Sequence, residues 1–215
     1  MTQIKACLFD LDGVIVDTAG FHYKAWKRLA KEIGCDFTEH DNERLKGVSR
    51  IRSLEIILEI GGITLSEERK TQLTNQKNEW YMEDVMKMTP DDALPGVIDF
   101  ITILKKNGIK IALGSASKNS MTILEKINMT SYFDAIIDGN KVTLAKPDPE
   151  VFLKGAEELN IQPSACVVFE DAIAGIEAAI NAGMHSIGVG SPEVLGKADF
   201  VISSFKEMSI DRLKF

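Results

Sequence analysis

The sequence predicts an α/β protein, with helices on both faces of a parallel sheet and an all-helical domain inserted after the first strand. Three observations lead there. Short apolar runs alternate with amphipathic helical patterns, the order of successive βαβ units. The runs are apolar without a polar alternate, as strands buried on both faces are. Residues 18–88 carry helical patterns and no convincing strand.

The first run, residues 4–11, ends at Asp12-Gly13. Similar runs occupy residues 109–113, Ala135–Ile137, 166–169 and 186–189, with a further candidate at Phe200–Ile202. Pro95-Gly96 opens a helix with Val97, Ile101 and Leu104 on one face and Asn107-Gly108 as its stop. Residues 119–127 form another helical pattern. Pro149 begins a third, with Phe152, Ala156 and Leu159 in register, and residues 171–182 a fourth, closed by Gly183. In the insert, Phe21, Ala25, Leu29 and Ile33 mark one helix, stopped by Gly34. Ile51, Leu54 and Leu58 mark a second, stopped by Gly61-Gly62. Ser66 followed by Glu67 and Glu68 reads as the cap and acidic first turn of a third. Thr89-Pro90-Asp91-Asp92 is the expected return linker, giving a core of residues 1–17 and 89–215 and a helical domain of residues 18–88.

At 215 residues the chain is long enough for one large domain or a domain with an insert. Hydrophobic residues at 45% and charged residues at 27% are ordinary for a globular protein. The net charge of −7 argues against broad binding to nucleic acid or anionic membranes. Cys7, Cys35 and Cys166 are odd in number and widely spaced, so neither a zinc site nor a disulfide framework is expected, and a reducing cytoplasm fits. The N-terminus runs straight into a strand pattern, so no signal peptide is expected. No apolar run approaches membrane-spanning length.

Asp10 and Asp12 stand two apart at the end of the first strand pattern. Side chains at i and i+2 of a strand share a face, so both carboxylates are expected to converge. Two crowded carboxylates call for a divalent cation, and Mg²⁺ takes one or two carboxylates plus waters and phosphate oxygens. A plain Asp-Gly turn is the alternative at this point. Three further segments stand at or near strand ends: Leu113-Gly114-Ser115-Ala116, Lys146-Pro147-Asp148-Pro149, and Val168-Phe169-Glu170-Asp171 with Gly175. Alone, Lys146 reads as a solvated lysine before a turn proline. Ser115 reads as a cap, and Glu170-Asp171 as an N-cap and acidic first turn.

In this order the four segments resemble the motifs of the haloacid dehalogenase superfamily of phosphotransferases. The resemblance implies a Rossmann-like core. Asp10 would be the nucleophile that forms an aspartyl phosphate, and Asp12 the general acid and base. Ser115 and Lys146 would hold the transferring phosphoryl group. Asp10, Asp12 through its carbonyl, Asp171 and Glu170 would serve Mg²⁺, with Glu170 in direct contact or one shell out. A helical insert in this position would close over substrate and exclude water.

The insert loop Leu45-Lys46-Gly47-Val48-Ser49-Arg50, followed by Ser53, offers cations and backbone N–H groups, and an arginine can grip phosphate with two hydrogen bonds. The loop Ser115-Ala116-Ser117-Lys118-Asn119 offers a second set. Together with Thr18, His22, Trp26 and Lys77, this set is similar to the β-phosphoglucomutase family. That resemblance implies a small phosphorylated sugar as substrate, β-glucose 1-phosphate, and a bisphosphate activator, with glucose 6-phosphate as product. Ala172 and Gly114 depart from the serine and alanine that such enzymes often carry. A phosphatase for sugar phosphates or phosphoglycolate stays open as the alternative. A non-catalytic binding module is the second alternative. A monomer is expected.

Overall fold

The computed structural model describes residues 3–46 and 48–215. The chain divides into two compact units, Met1–Asp17 with Thr89–Phe215, and Thr18–Met88.

The first unit holds a six-stranded parallel sheet: β1 (Ala6–Phe9), β2 (Lys110–Gly114), β3 (Ala135–Ile137), β4 (Cys166–Glu170), β5 (His185–Val189) and β6 (Phe200–Ile202). The spatial order is β3-β2-β1-β4-β5-β6. The chain therefore grows outward from β1 on one side, then crosses back and grows outward on the other. Ligands in such sheets bind beyond the carboxyl ends of the strands, where the order reverses. Here that place lies between β1 and its neighbours β2 and β4.

Strand alternation divides the core. Phe9 and Phe169 stack at 4.7 Å on one face and meet Phe100 and Phe205. Ala6, Leu8, Ala112 and Val168 line the other face with Phe152 and Ala156. All but the first residue of β2 and all of β1 and β4 are buried, which explains their uninterrupted apolar character. In the core, α5 (Val97–Lys106), α6 (Ser120–Lys126), α7 (Glu150–Glu158) and α8 (Ile173–Asn181) connect the strands.

The helical unit consists of α1 (Ala19–Glu32), α2 (Glu39–Glu43), α3 (Arg50–Gly61) and α4 (Glu67–Val85). Its core contains Trp26, Leu29, Phe37, Leu54, Ile57 and Leu73. Ser66 caps α4 by accepting from the Arg69 amide, as its sequence predicts. Two expectations change. Ile51, read as part of the buried stripe of α3, is 43% exposed, and Ile57 takes the buried position instead. The short helix α2 was not foreseen, although Thr38 and Asp41 form a capping box at its start. Cys7, Cys35 and Cys166 are free and buried. No helix among the described residues is long and apolar enough to cross a membrane.

Candidate active site

Strand β1 stops at Phe9; the Asp10 amide still donates to the Phe169 carbonyl of β4 at 3.0 Å, and Asp12 lies in the tight loop that follows. The Leu11 carbonyl accepts from the Ile15 and Val16 amides, and the Gly13 amide donates to the Val16 carbonyl at 2.7 Å. Gly13 turns the chain at φ +79°, a conformation that side chains resist. A Cβ there would lie 2.2 Å from an Asp171 carboxylate oxygen, so glycine also admits Asp171 against the loop.

Lys146 is the largest departure from the reading of its residue type alone. It is 4% exposed rather than solvated. Its Nζ donates to Asp10 Oδ1 at 2.6 Å, to Glu170 Oε1 at 2.5 Å and to the Gly114 carbonyl at 3.1 Å. An ammonium has three protons, and all three are used. Their acceptors follow β1, end β4 and end β2, so one side chain ties together the three central strands. Burial lowers the affinity of this amine for its proton, but Asp10 and Glu170 outweigh it, and the net shift is upward. Lys146 is therefore a cation.

Glu170 is 1% exposed. Burial pushes its carboxyl up, Lys146 opposes this, and Asp10 adds to it. Its second oxygen accepts from the Ala172 amide at 2.9 Å. Ala172, not Asp171, is the residue that precedes α8, and it has no side-chain cap hydrogen bond of its own. The capping alternative for Glu170-Asp171 is thereby corrected. Gly175 has a specific reason: a Cβ would lie 1.9 Å from the Glu170 carboxyl.

Ser115 is buried at the end of β2, and its amide donates to the Ile137 carbonyl. Its hydroxyl oxygen accepts from the Ser117 amide, and the Ser117 hydroxyl oxygen accepts from the Asn119 amide. These bonds make residues 115–119 a compact turn carrying Lys118. The Gly139 amide braces it through the Ser117 carbonyl at 3.0 Å.

In the helical unit, His22, Trp26 and Lys77 come together. The Lys77 Nζ lies 2.8 Å from His22 Nδ1, with the Trp26 ring centroid at 4.6 Å and that of Tyr81 at 4.7 Å. Tyr81 had no sequence signal, being one aromatic four residues beyond Lys77 on a helix. Burial, then Lys77 and Arg50, hold His22 well below the ordinary histidine range, so it is neutral near pH 7. With Nδ1 accepting from Lys77, the proton of the neutral ring sits on Nε2. Trp26 is 2% exposed and packs in the core of this unit. Arg50 opens α3, Ser49 caps it, and the Ser53 hydroxyl donates to the Ser49 carbonyl. Lys46 pairs with Glu43, and Val48 packs against the unit's core. Thr18 is buried and its carbonyl receives the His22 amide. Gly47 lies outside the described residues.

Among the described residues, no three His, Cys, Asp or Glu side chains form a ready-made metal cluster. The donor chemistry nevertheless suits a hard divalent cation. Asp10 and Asp171 supply oxygen only, and Asp171 is held against Gly13 beside Asp12. Glu170 already engages both its oxygens, with Lys146 and Ala172.

The family model described as haloacid dehalogenase-like hydrolase matches residues 4–183. A β-phosphoglucomutase of Bacillus subtilis is 42% identical over 98% of this chain and 94% of its own length. The crystal structure of β-phosphoglucomutase from Clostridium difficile aligns with a TM-score of 0.94 at 43% identity, covering 98% of this chain and 96% of that one. A phosphorylated carbohydrates phosphatase of Thermotoga maritima is 32% identical over 86% of this chain and 84% of its own length. The family implies a divalent metal.

Proposed function

Because the chain belongs to the haloacid dehalogenase-like hydrolase family, we propose that it is a phosphomutase working through an aspartyl phosphate on Asp10. It interconverts β-D-glucose 1-phosphate and glucose 6-phosphate, with β-glucose 1,6-bisphosphate as intermediate and activator. The similarity to β-phosphoglucomutases over nearly the whole chain carries the choice of sugar. The chemistry rests on the buried Lys146–Asp10 contact at 2.6 Å.

Asp10 Oδ1 accepts from Lys146, and its Oδ2 has no other hydrogen bond among the described residues. That leaves an anionic oxygen to attack phosphorus. The bond from phosphorus to the sugar oxygen breaks as the aspartyl phosphate forms, and the sugar oxygen takes a proton from Asp12. In the reverse direction Asp12 takes the proton of the attacking sugar hydroxyl. Lys146 and Ser115 stabilise the charge on the transferring phosphoryl oxygens. A bound Mg²⁺ would neutralise charge on phosphate and carboxylates. Asp10, Asp171 and the Asp12 carbonyl would hold it, with Glu170 directly or through water. Ser117, Lys118 and Asn119 in the core unit, and Lys46, Gly47, Val48, Arg50 and Ser53 in the helical unit, would each bind phosphate. Thr18, His22 and Lys77 would meet the sugar, with Trp26 acting through Lys77. The proposed working form is a cytosolic monomer, with which three free buried thiols agree.

Product analysis tests this. Purified protein given β-glucose 1-phosphate, a trace of the bisphosphate and Mg²⁺ should accumulate glucose 6-phosphate. Release of inorganic phosphate and free glucose alone would favour the phosphatase reading, which the Thermotoga relative keeps open.

A further inference from the structure

Lys146 does its work from an irregular connection. Strand β3 ends at Ile137 and α7 begins at Glu150, and the intervening chain has no ladder to fix it. Yet the Lys146 ammonium must arrive within 2.5–2.6 Å of two carboxylates. Something must hold the backbone that carries it.

The candidate is at the start of α7. Glu150 accepts from the Leu144 amide at 2.7 Å, the Thr143 amide at 2.9 Å and the Thr143 hydroxyl at 3.1 Å. Lys154, one turn later, donates to Glu150 at 2.7 Å and to the Lys141 carbonyl at 2.7 Å. An i,i+4 pair on an exposed helix face contributes little. This one differs, because the Glu150 side chain is 17% exposed and both partners also bind backbone. Its donors, Lys154 first and then the Leu144 amide, hold the Glu150 carboxyl down at about 2.

We propose that Glu150, with Lys154, is a positioning residue for Lys146. The pair clamps the backbone at residues 141, 143 and 144 and so sets the reach of the lysine two residues later. The clamp touches neither substrate nor the reacting atoms. It deepens the reading of Lys146 as a phosphoryl-binding cation and rests on that reading.

Two variants test it. Glu150→Gln keeps the shape, but its amide group opposes one of the backbone N–H donors. Lys154→Met removes the cationic arm and leaves Glu150 in place. Two readouts apply to each: amide hydrogen exchange at Thr143 and Leu144 by NMR, and phosphoryl transfer to Asp10 from acetyl phosphate and from β-glucose 1,6-bisphosphate. Loss of charge-assisted hydrogen bonds should speed exchange at these two amides about tenfold in Glu150→Gln and lower the transfer rate about tenfold with both donors, with KM for the sugar within about twofold. Lys154→Met should show a smaller change of the same kind. A purely structural role would lower the unfolding midpoint and leave the transfer rate alone, which would overturn the proposal. Slower transfer with unchanged exchange would overturn it too. Acetyl phosphate carries no sugar, so a mistaken sugar assignment leaves this readout intact. Should neither donor phosphorylate the wild-type Asp10, the reading of the catalytic site falls, and the exchange rates still judge the clamp.

Discussion

Replacing Lys146 by Met probes the site most severely. The perturbation removes one cation from between two carboxylates at 2.6 and 2.5 Å while keeping most of the volume. One cation and two anions leave a single net negative charge in the buried cluster; without the lysine it becomes two. Breaking a buried pair by removing one partner costs about 3–5 kcal/mol. Glu170, whose carboxyl burial already pushes upward, relieves part of this by taking a proton. The expected loss in metal-free protein is therefore near the lower end, about 3 kcal/mol. Adding Glu170→Gln restores the original net charge and should recover about 1–2 kcal/mol, a coupling of the size seen between touching groups. Activity behaves differently. A fixed positive charge beside the transferring group contributes about 100-fold or more to turnover, and the second substitution cannot replace it. Urea unfolding without metal and steady-state turnover read the two effects separately. A stability loss under about 1 kcal/mol, or turnover within tenfold of wild type, would refute the cluster as described.

Two other predictions follow from single contacts. Gly175→Ala should destabilise by about 2 kcal/mol despite the better helix propensity of alanine, because the new methyl meets the Glu170 carboxyl; urea unfolding measures it, and a stabilised variant would contradict the contact. His22 should stay neutral with its proton on Nε2 as pH falls from 7 towards 5, visible in its ¹⁵N shifts. The unfolded chain takes up that proton below about pH 6.5 and the folded one does not, so stability is complete above 6.5 and declines below it, a slope that His22→Asn should flatten.

The legibility of this chain in its sequence follows physical lines. Strands buried on both faces announce themselves as apolar runs, and β1, β2, β4 and β5 lie within a residue or two of where those runs fall. Helix α4 was readable from Ser66 because a cap is a local device. Long-range contacts were less legible. Nothing local distinguishes Lys146 from a surface lysine; its burial depends on acceptors that follow β1, end β2 and end β4. The need for Gly175 arises only when α8 folds back over Glu170. The loop that carries Asp12 is held by contacts of its own, with the Leu11 carbonyl accepting from the Ile15 and Val16 amides, which strand alternation does not describe. Ile51 sits in the first turn of α3 and is exposed although Leu54 and Leu58 of the same stripe are buried, a difference that periodicity along one helix does not show.

The most direct test of the central claim is chemical trapping on Asp10. Rapid acid quench after mixing with β-glucose 1,6-bisphosphate and Mg²⁺, followed by borohydride reduction and peptide mass analysis, locates an aspartyl phosphate by the residue it converts. The account predicts modification at Asp10, none in Asp10→Asn, and formation of glucose 6-phosphate from β-glucose 1-phosphate by the wild-type protein alone. Modification elsewhere, or undiminished turnover in Asp10→Asn, would contradict it.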